Sequence, residues 1–251
     1  MYYNLIGDIH GRTSWRQLVR EDAINIFLGD YLDPYSRNNV LAGYEDYDNF
    51  EDIIHYKQQN PDTTILLLGN HDLHYLWDEH YSRYNTAHAI RIASLIRKHL
   101  HLFQAAYAIG ERILVTHAGL TRPWMKLAGI PEGLSASALA DAICQRMKDE
   151  QQRHLFSVET TFMPDDFCGM SPTASPIWVR PHTLLDHGQL TDSHGGTIYQ
   201  VVGHTQIDQV MQVGSCVFID CLGTTPQSLL IDISAAGEPS FKPAAANIPM
   251  E

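Results

Sequence analysis

Five short polar strings occur along the chain, and each closes a short apolar run: Gly7-Asp8-Ile9-His10-Gly11, Gly29-Asp30-Tyr31-Leu32-Asp33, Gly69-Asn70-His71-Asp72, His117-Ala118-Gly119 and Gly203-His204-Thr205. The runs before them, at 3–6, 24–28, 65–68, 113–115 and 198–202, read as buried strands. Side chains that follow such strands stand at the edge where open α/β folds hold their ligands. The pattern therefore predicts an α/β fold whose strand ends bring Asp8, Asp30, Asp33, Asn70, His10, His71, His117 and His204 together.

The residue types suit metal ions. Asp8 and His10 are two apart, so on a strand leaving a sheet both face one side and can share a cation. Asp30 has two carboxylate oxygens and can serve two cations separated by about 3.5–4 Å. A mixture of oxygen and imidazole donors excludes a purely hard calcium site and a soft thiolate site, and favours Mn, Fe or Zn.

In order and type, these strings resemble the calcineurin-like metallophosphoesterase superfamily over about residues 1–232, on its phosphoprotein-phosphatase-like (Ser/Thr phosphatase) branch. A tetrapeptide such as Gly69-Asn70-His71-Asp72 arises by chance in about one chain in a thousand of this length. The resemblance implies an α/β sandwich of two mixed β-sheets flanked by helices and an enzyme holding two divalent or trivalent metal ions. It implies that Asp8, His10 and Asp30 bind the first metal, and that Asn70, His117 and His204 complete the second, with Asp30 as the bridge. It also implies phosphoester hydrolysis by metal-bridged hydroxide. In this scheme Asp33 and His71 form the general acid, and Arg180, in Trp178-Val179-Arg180, clamps phosphate.

The chain departs from that branch after Asp33. Pro34 and Tyr35 stand where the branch carries a phosphate-binding Arg; Arg37 or Arg12 could substitute from the adjacent loops, but a solvated surface role is favoured for each. Gln206, in Gly203-His204-Thr205-Gln206, agrees with the branch. His182, His187 and His194 lack a regular metal-binding spacing and read as surface residues. Tyr31, Tyr35, Tyr44 and Tyr47 either brace a loop or stack an aromatic substrate, the bracing role being favoured.

The substrate expectation is a phosphorylated protein or small phosphomonoester. One alternative is a dinucleoside polyphosphate (diadenosine tetraphosphate) hydrolase, because His117-Ala118-Gly119-Leu120 followed by Pro123-Trp124 is similar to a segment of those enzymes. Another is a non-catalytic metal-binding scaffold. A net charge of −12 disfavours a nucleic-acid partner. No apolar run nears the roughly 18 residues needed to span a membrane. Cys144, Cys168, Cys216 and Cys221 form no CxxC pair, and no secretory signal is visible, so a cytoplasmic location is expected.

The chain reads as one metallophosphoesterase domain over 1–234, with a cap insertion at about 120–176 and a loose tail at 235–251 that carries Gly237, Pro239, Pro243 and Pro249. Helices are expected near 14–20, 45–59, 73–84, 87–100 and 135–153, a hairpin at 103–116, and late strands at 197–202, 216–219 and 228–233.

Overall fold

A computed structural model of the chain describes residues 2–35, 42–79, 82–156, 169–234 and 237–246. They form two compact units, one of Met1–Phe103, Gln206–Val210 and Ile219–Glu251, the other of Gln104–Thr205 and Met211–Phe218. There are two mixed sheets with helices flanking them, the fold class that the resemblance implies.

The first sheet runs in the order β12 (Pro239–Ala245), β11 (Gln227–Ile233), β1 (Tyr2–Ile6), β2 (Ala23–Phe27), β3 (Thr64–Leu67) and β4 (Phe103–Gln104). β1, β2 and β3 are parallel, and β11 lies antiparallel to β1. Parallel strands are covered on both faces, which is why they read as continuous apolar runs rather than alternating ones. Leu5, Ile6, Ile26, Phe27, Leu66 and Leu67 are all fully buried. Asn4 interrupts β1 with its amide nitrogen satisfied, donating to Asn25 Oδ1 and Leu18 O, both at 2.8 Å. Asn25 in turn bonds Arg20 N and O, fixing the turn between α1 (Trp15–Leu18) and β2. Helix α2 (Ala42–Gln59) buries Phe50, Ile53 and Ile54, the i, i+3, i+4 spacing of one face.

The third helix corrects its sequence-based bounds. Expected near 73–84, α3 spans Asn70–Trp77. It starts earlier because Asp72 turns back to accept the Gly69 N–H at 2.8 Å, satisfying a donor at the helix start. It stops earlier because Asp78 is left-handed at φ 58 and the Glu79 N–H closes onto His74 O. Helix α4 (Ala89–His99) follows, with Ile92, Leu95 and Ile96 buried.

Residues 235–251 were expected as a loose tail, yet β12 lies within them and pairs with β11 across seven register positions. Gly237, at φ 78, makes the turn, and the prolines are tolerated because β12 is an edge strand, where a missing N–H need not face a neighbour. Residues 235, 236 and 247–251 lie outside the described residues.

The second sheet orders β5 (Ala106–Ile109), β6 (Ile113–Thr116), β8 (Thr197–Val202), β10 (Cys216–Phe218) and β9 (Met211–Val213), and β7 (Leu190–Thr191) pairs with β8. The expected hairpin is present as β5 and β6, with Gly110 at its turn. The segment expected as a cap contributes α5 (Arg122–Leu127) and α6 (Ala136–Lys148), and α6 packs on β5 and β6. Ser135 caps α6 by accepting the Ala138 N–H. Residues 157–168, including Cys168, lie outside the described residues. No helix among the described residues is long and apolar enough to cross a membrane.

Candidate functional site

In the first unit, the loops after β1 and β2 are zipped together by backbone. The N–H groups of Ile9 and His10 both donate to Asp30 O, at 3.1 and 2.7 Å, and Gly11 N–H donates to Tyr31 O. Gly7 and Gly29 permit close approaches to other segments: a Cβ on Gly7 would stand 2.4 Å from Ile219 O, and one on Gly29 would stand 2.4 Å from Gly69 N. His10, Asp30 and Asp33 adopt left-handed backbone, at φ 45, 50 and 62. That conformation costs a non-glycine residue about 1–2 kcal/mol, so the surrounding bonds must hold it.

Asp8, His10 and Asp30 converge and are almost fully buried. His10 Nδ1 donates to Leu32 O at 2.8 Å, which leaves Nε2 as the lone-pair nitrogen, 3.5 Å from Asp30 Oδ2 and 3.9 Å from Asp8 Oδ2. Such a backbone bond to the far ring nitrogen is how ligating imidazoles are oriented. Burial pushes His10 down to about 3, so the ring is neutral and ready to ligate near neutrality. Two ligands with bonds of about 2.1 Å to one ion stand roughly 3.0–4.2 Å apart. The measured separations fall in that range, and a divalent cation would offset two buried carboxylates. Asp30 Oδ1 accepts the His71 backbone N–H at 2.8 Å, so its two oxygens face different groups.

A second group surrounds Asp33. His71 Nδ1 and His74 Nε2 each lie 2.8 Å from Asp33 Oδ2, and the Tyr75 hydroxyl donates to Oδ1. Burial opposes charge on Asp33, but hydrogen bonds from His71 and His74, and their charge, hold its carboxyl below the ordinary range. Burial likewise lowers His74, with Asp33 opposing. The rings of His10 and His71 meet edge-on at 5.2 Å. Asn70 is buried at the start of α3.

In the second unit, His117 follows β6 and His204 follows β8, and His117 O accepts the Gly203 N–H. His204 Nδ1 stands 3.2 Å from His117 Nε2, close to the roughly 3.3 Å of two nitrogens sharing a tetrahedral ion. Arg180 joins them: its guanidinium donates to Thr205 Oγ1 at 3.1 Å and His204 O at 3.4 Å, and lies over the Trp178 ring.

Other candidates have different roles. Arg12 donates to Asp8 O and Ile9 O, tying down the loop after β1. Arg37 lies outside the described residues. Tyr31 is a core residue stacked on Phe50 and bonded to Leu67 O, and Tyr47 packs under Arg91. Tyr35 remains half exposed. His182 is exposed and faces Asp186 one turn along α7 (Pro181–His187). Trp124 is fully buried against Phe156, a packing residue of α5.

Sequence reasoning missed Asp72, His74, Tyr75 and Arg83. Once α3 is started at Asn70, His74 and Tyr75 stand at i+3 and i+4 from His71 and share its face. Arg83 carried no such signal.

Residues 1–206 match the profile of the calcineurin-like phosphoesterases. The chain belongs to this family and is a metal-dependent phosphoric ester hydrolase. A cold-active protein-tyrosine phosphatase of a psychrophilic Shewanella species is similar in structure, with TM-score 0.51 and 19% identity over 96% of this chain and 80% of that one. A serine/threonine phosphatase from Saccharomyces cerevisiae, described as similar to human PP5, gives TM-score 0.51 and 17% identity over 100% and 81%. These likenesses concern the fold. No curated protein matches the sequence.

Proposed function

We propose that the chain is a dinuclear phosphomonoesterase of the protein-phosphatase type, acting on a phosphorylated protein or a small phosphoester. Asp8, His10 and Asp30 would hold one ion, and Asn70, His117 and His204 the other, with Asp30 serving both. When bound, Mn, Fe or Zn would supply a hydroxide nucleophile at neutral pH and offset charge on the phosphoryl oxygens. Arg180 would bind those oxygens through its planar fork of donors.

The observation that carries the substrate reading is the 2.8 Å bond between His71 Nδ1 and Asp33. It fixes Nδ1 on Asp33, so a leaving group can engage the ring only at Nε2, which Arg83 Nη2 also approaches at 3.0 Å. A phosphomonoester of an alcohol expels an alkoxide, which needs a proton. A dinucleoside polyphosphate expels a phosphate, which does not need one to the same degree. Trp124, part of the segment that favoured the dinucleotide alternative, is spent on core packing.

The test is competition between a phosphopeptide and diadenosine tetraphosphate under identical metal conditions. The reading expects kcat/KM to favour the phosphopeptide. A preference above about tenfold for the dinucleotide, roughly 1.4 kcal/mol in transition-state binding, replaces it with the alternative. Metal binding without turnover of either would mark a scaffold.

A further inference from the structure

We infer that Arg83 is a phosphate-gripping cation of this site, supplying the positive charge that Pro34 and Tyr35 do not. The inference rests on the phosphoesterase reading above for the identity of the anion.

Arg83 reaches the Asp33 and His71 group from beyond the end of α3. One guanidinium nitrogen donates to Asp33 O, and the other, Nη2, lies 3.0 Å from His71 Nε2. Arg83 Cζ lies over the Tyr35 ring, 3.9 Å from its centroid, and Tyr35 meets His10 edge-on at 4.9 Å. The side chain is thus held on three sides, by a carbonyl, an imidazole and an aromatic face, at a residue whose own backbone is left-handed at φ 67. Non-glycine residues keep that conformation only where surroundings impose it, and such positions gather at functional sites.

The geometry around His71 defines what Arg83 can meet. Asp33 occupies Nδ1, so any substrate oxygen that engages this ring does so at Nε2, where Arg83 Nη2 already stands. An oxygen within hydrogen-bond reach of Nε2 is therefore also beside the guanidinium. A phosphate oxygen carries negative charge and binds a guanidinium more strongly than a ring nitrogen does, so an arriving phosphoryl group draws the guanidinium onto itself and releases Nε2. Arg12, the nearer candidate by sequence, already spends its Nη1 on the carbonyls of Asp8 and Ile9. Tyr35 keeps Arg83 in place through cation–π contact without competing for its in-plane donors.

The experiment is calorimetric titration of inorganic phosphate into the Mn-loaded full chain, for wild type, Arg83→Gln and Arg83→Lys, with metal content and Tm measured beside it. Arg83→Gln should weaken phosphate binding by about tenfold to a hundredfold, the size of a charged hydrogen bond, with both metals and Tm retained. Arg83→Lys, which keeps charge but not the fork, should fall between. Phosphate affinity within twofold of wild type in Arg83→Gln overturns the inference, as does a loss that tracks lost metal or lowered Tm. If Arg83→Gln does not fold, Arg83→Lys decides, and unchanged phosphate binding overturns the inference. Wild type that binds phosphate through Arg83 but hydrolyses no phosphoester would remove the proposed function and leave Arg83 as an anion site. Hydrolysis with phosphate binding indifferent to Arg83 would do the reverse.

Discussion

The Asp72 carboxylate accepts the backbone N–H of Asp30 at 2.8 Å, and through its other oxygen that of Tyr31 at 3.0 Å. The first oxygen also takes the Gly69 N–H. One fully buried side chain thereby ties the loop carrying Asp30 to the start of the helix carrying Asn70 and His71. Asp72→Asn puts an amide NH2 against at least one of these N–H groups. It should cost about 1–3 kcal/mol in urea unfolding of the chelated protein, the usual penalty for a buried unsatisfied donor. Metal affinity should fall about 10–100-fold, as for other residues that orient ligands. Stability and metal affinity both unchanged would show that the loops hold their geometry without Asp72.

His10 predicts the pH response of the chelated protein. Its ring titrates near 6.5 when unfolded and about 3 when folded, so between these values the unfolded chain binds the extra proton. Stability therefore rises with pH across that window and is level above it, as far as His10 is concerned. Asp33 adds to the acid end: its lowered carboxyl contributes stability above the ordinary 3.8, lost as pH falls through the lower folded value. Thermal melts of chelated wild type and His10→Gln should diverge below about pH 6.5, with the variant less sensitive to acid. Parallel curves would contradict the buried neutral ring.

The strand ends that carry the candidate ligands were legible in the sequence. Asp8, Asp30, His117 and His204 each follow an apolar run, and these runs are strands β1, β2, β6 and β8. What was not legible depended on helix register and on distance along the chain. Placing the start of α3 three residues late separated His71 from His74 and hid their shared Asp33. The expected helix ran on to 84 and took in Arg83, whereas the left-handed Asp78 ends the helix and Arg83 returns to Asp33, fifty positions earlier in the chain. The prolines of β12 fell in a segment expected as a loose tail because edge position, which makes them harmless, is a property of the sheet and not of the segment.

His71→Ala should retain both metals yet slow hydrolysis of phosphomonoesters with poor leaving groups by roughly 10²–10⁴, the contribution of a positioned general acid. Activated aryl esters should lose much less. Equal loss on both substrate types, or loss of metal, would make His71 a ligand or a packing residue.

Asp30→Asn should weaken metal binding at both sites, because one side chain is assigned to both ions. Metal content after gel filtration, read by elemental analysis, should fall below that of wild type at each site. Two tightly held metals with normal turnover in this variant would remove the bridging role.

Metal dependence of phosphoester hydrolysis is the most direct measurement of all. Protein stripped by a chelator and assayed with an aryl phosphate should be inactive, and added Mn or a related divalent ion should restore turnover. Full activity in a verified metal-free preparation would contradict the account, since Asp8, His10, Asp30, Asn70, His117 and His204 would then have no chemical task.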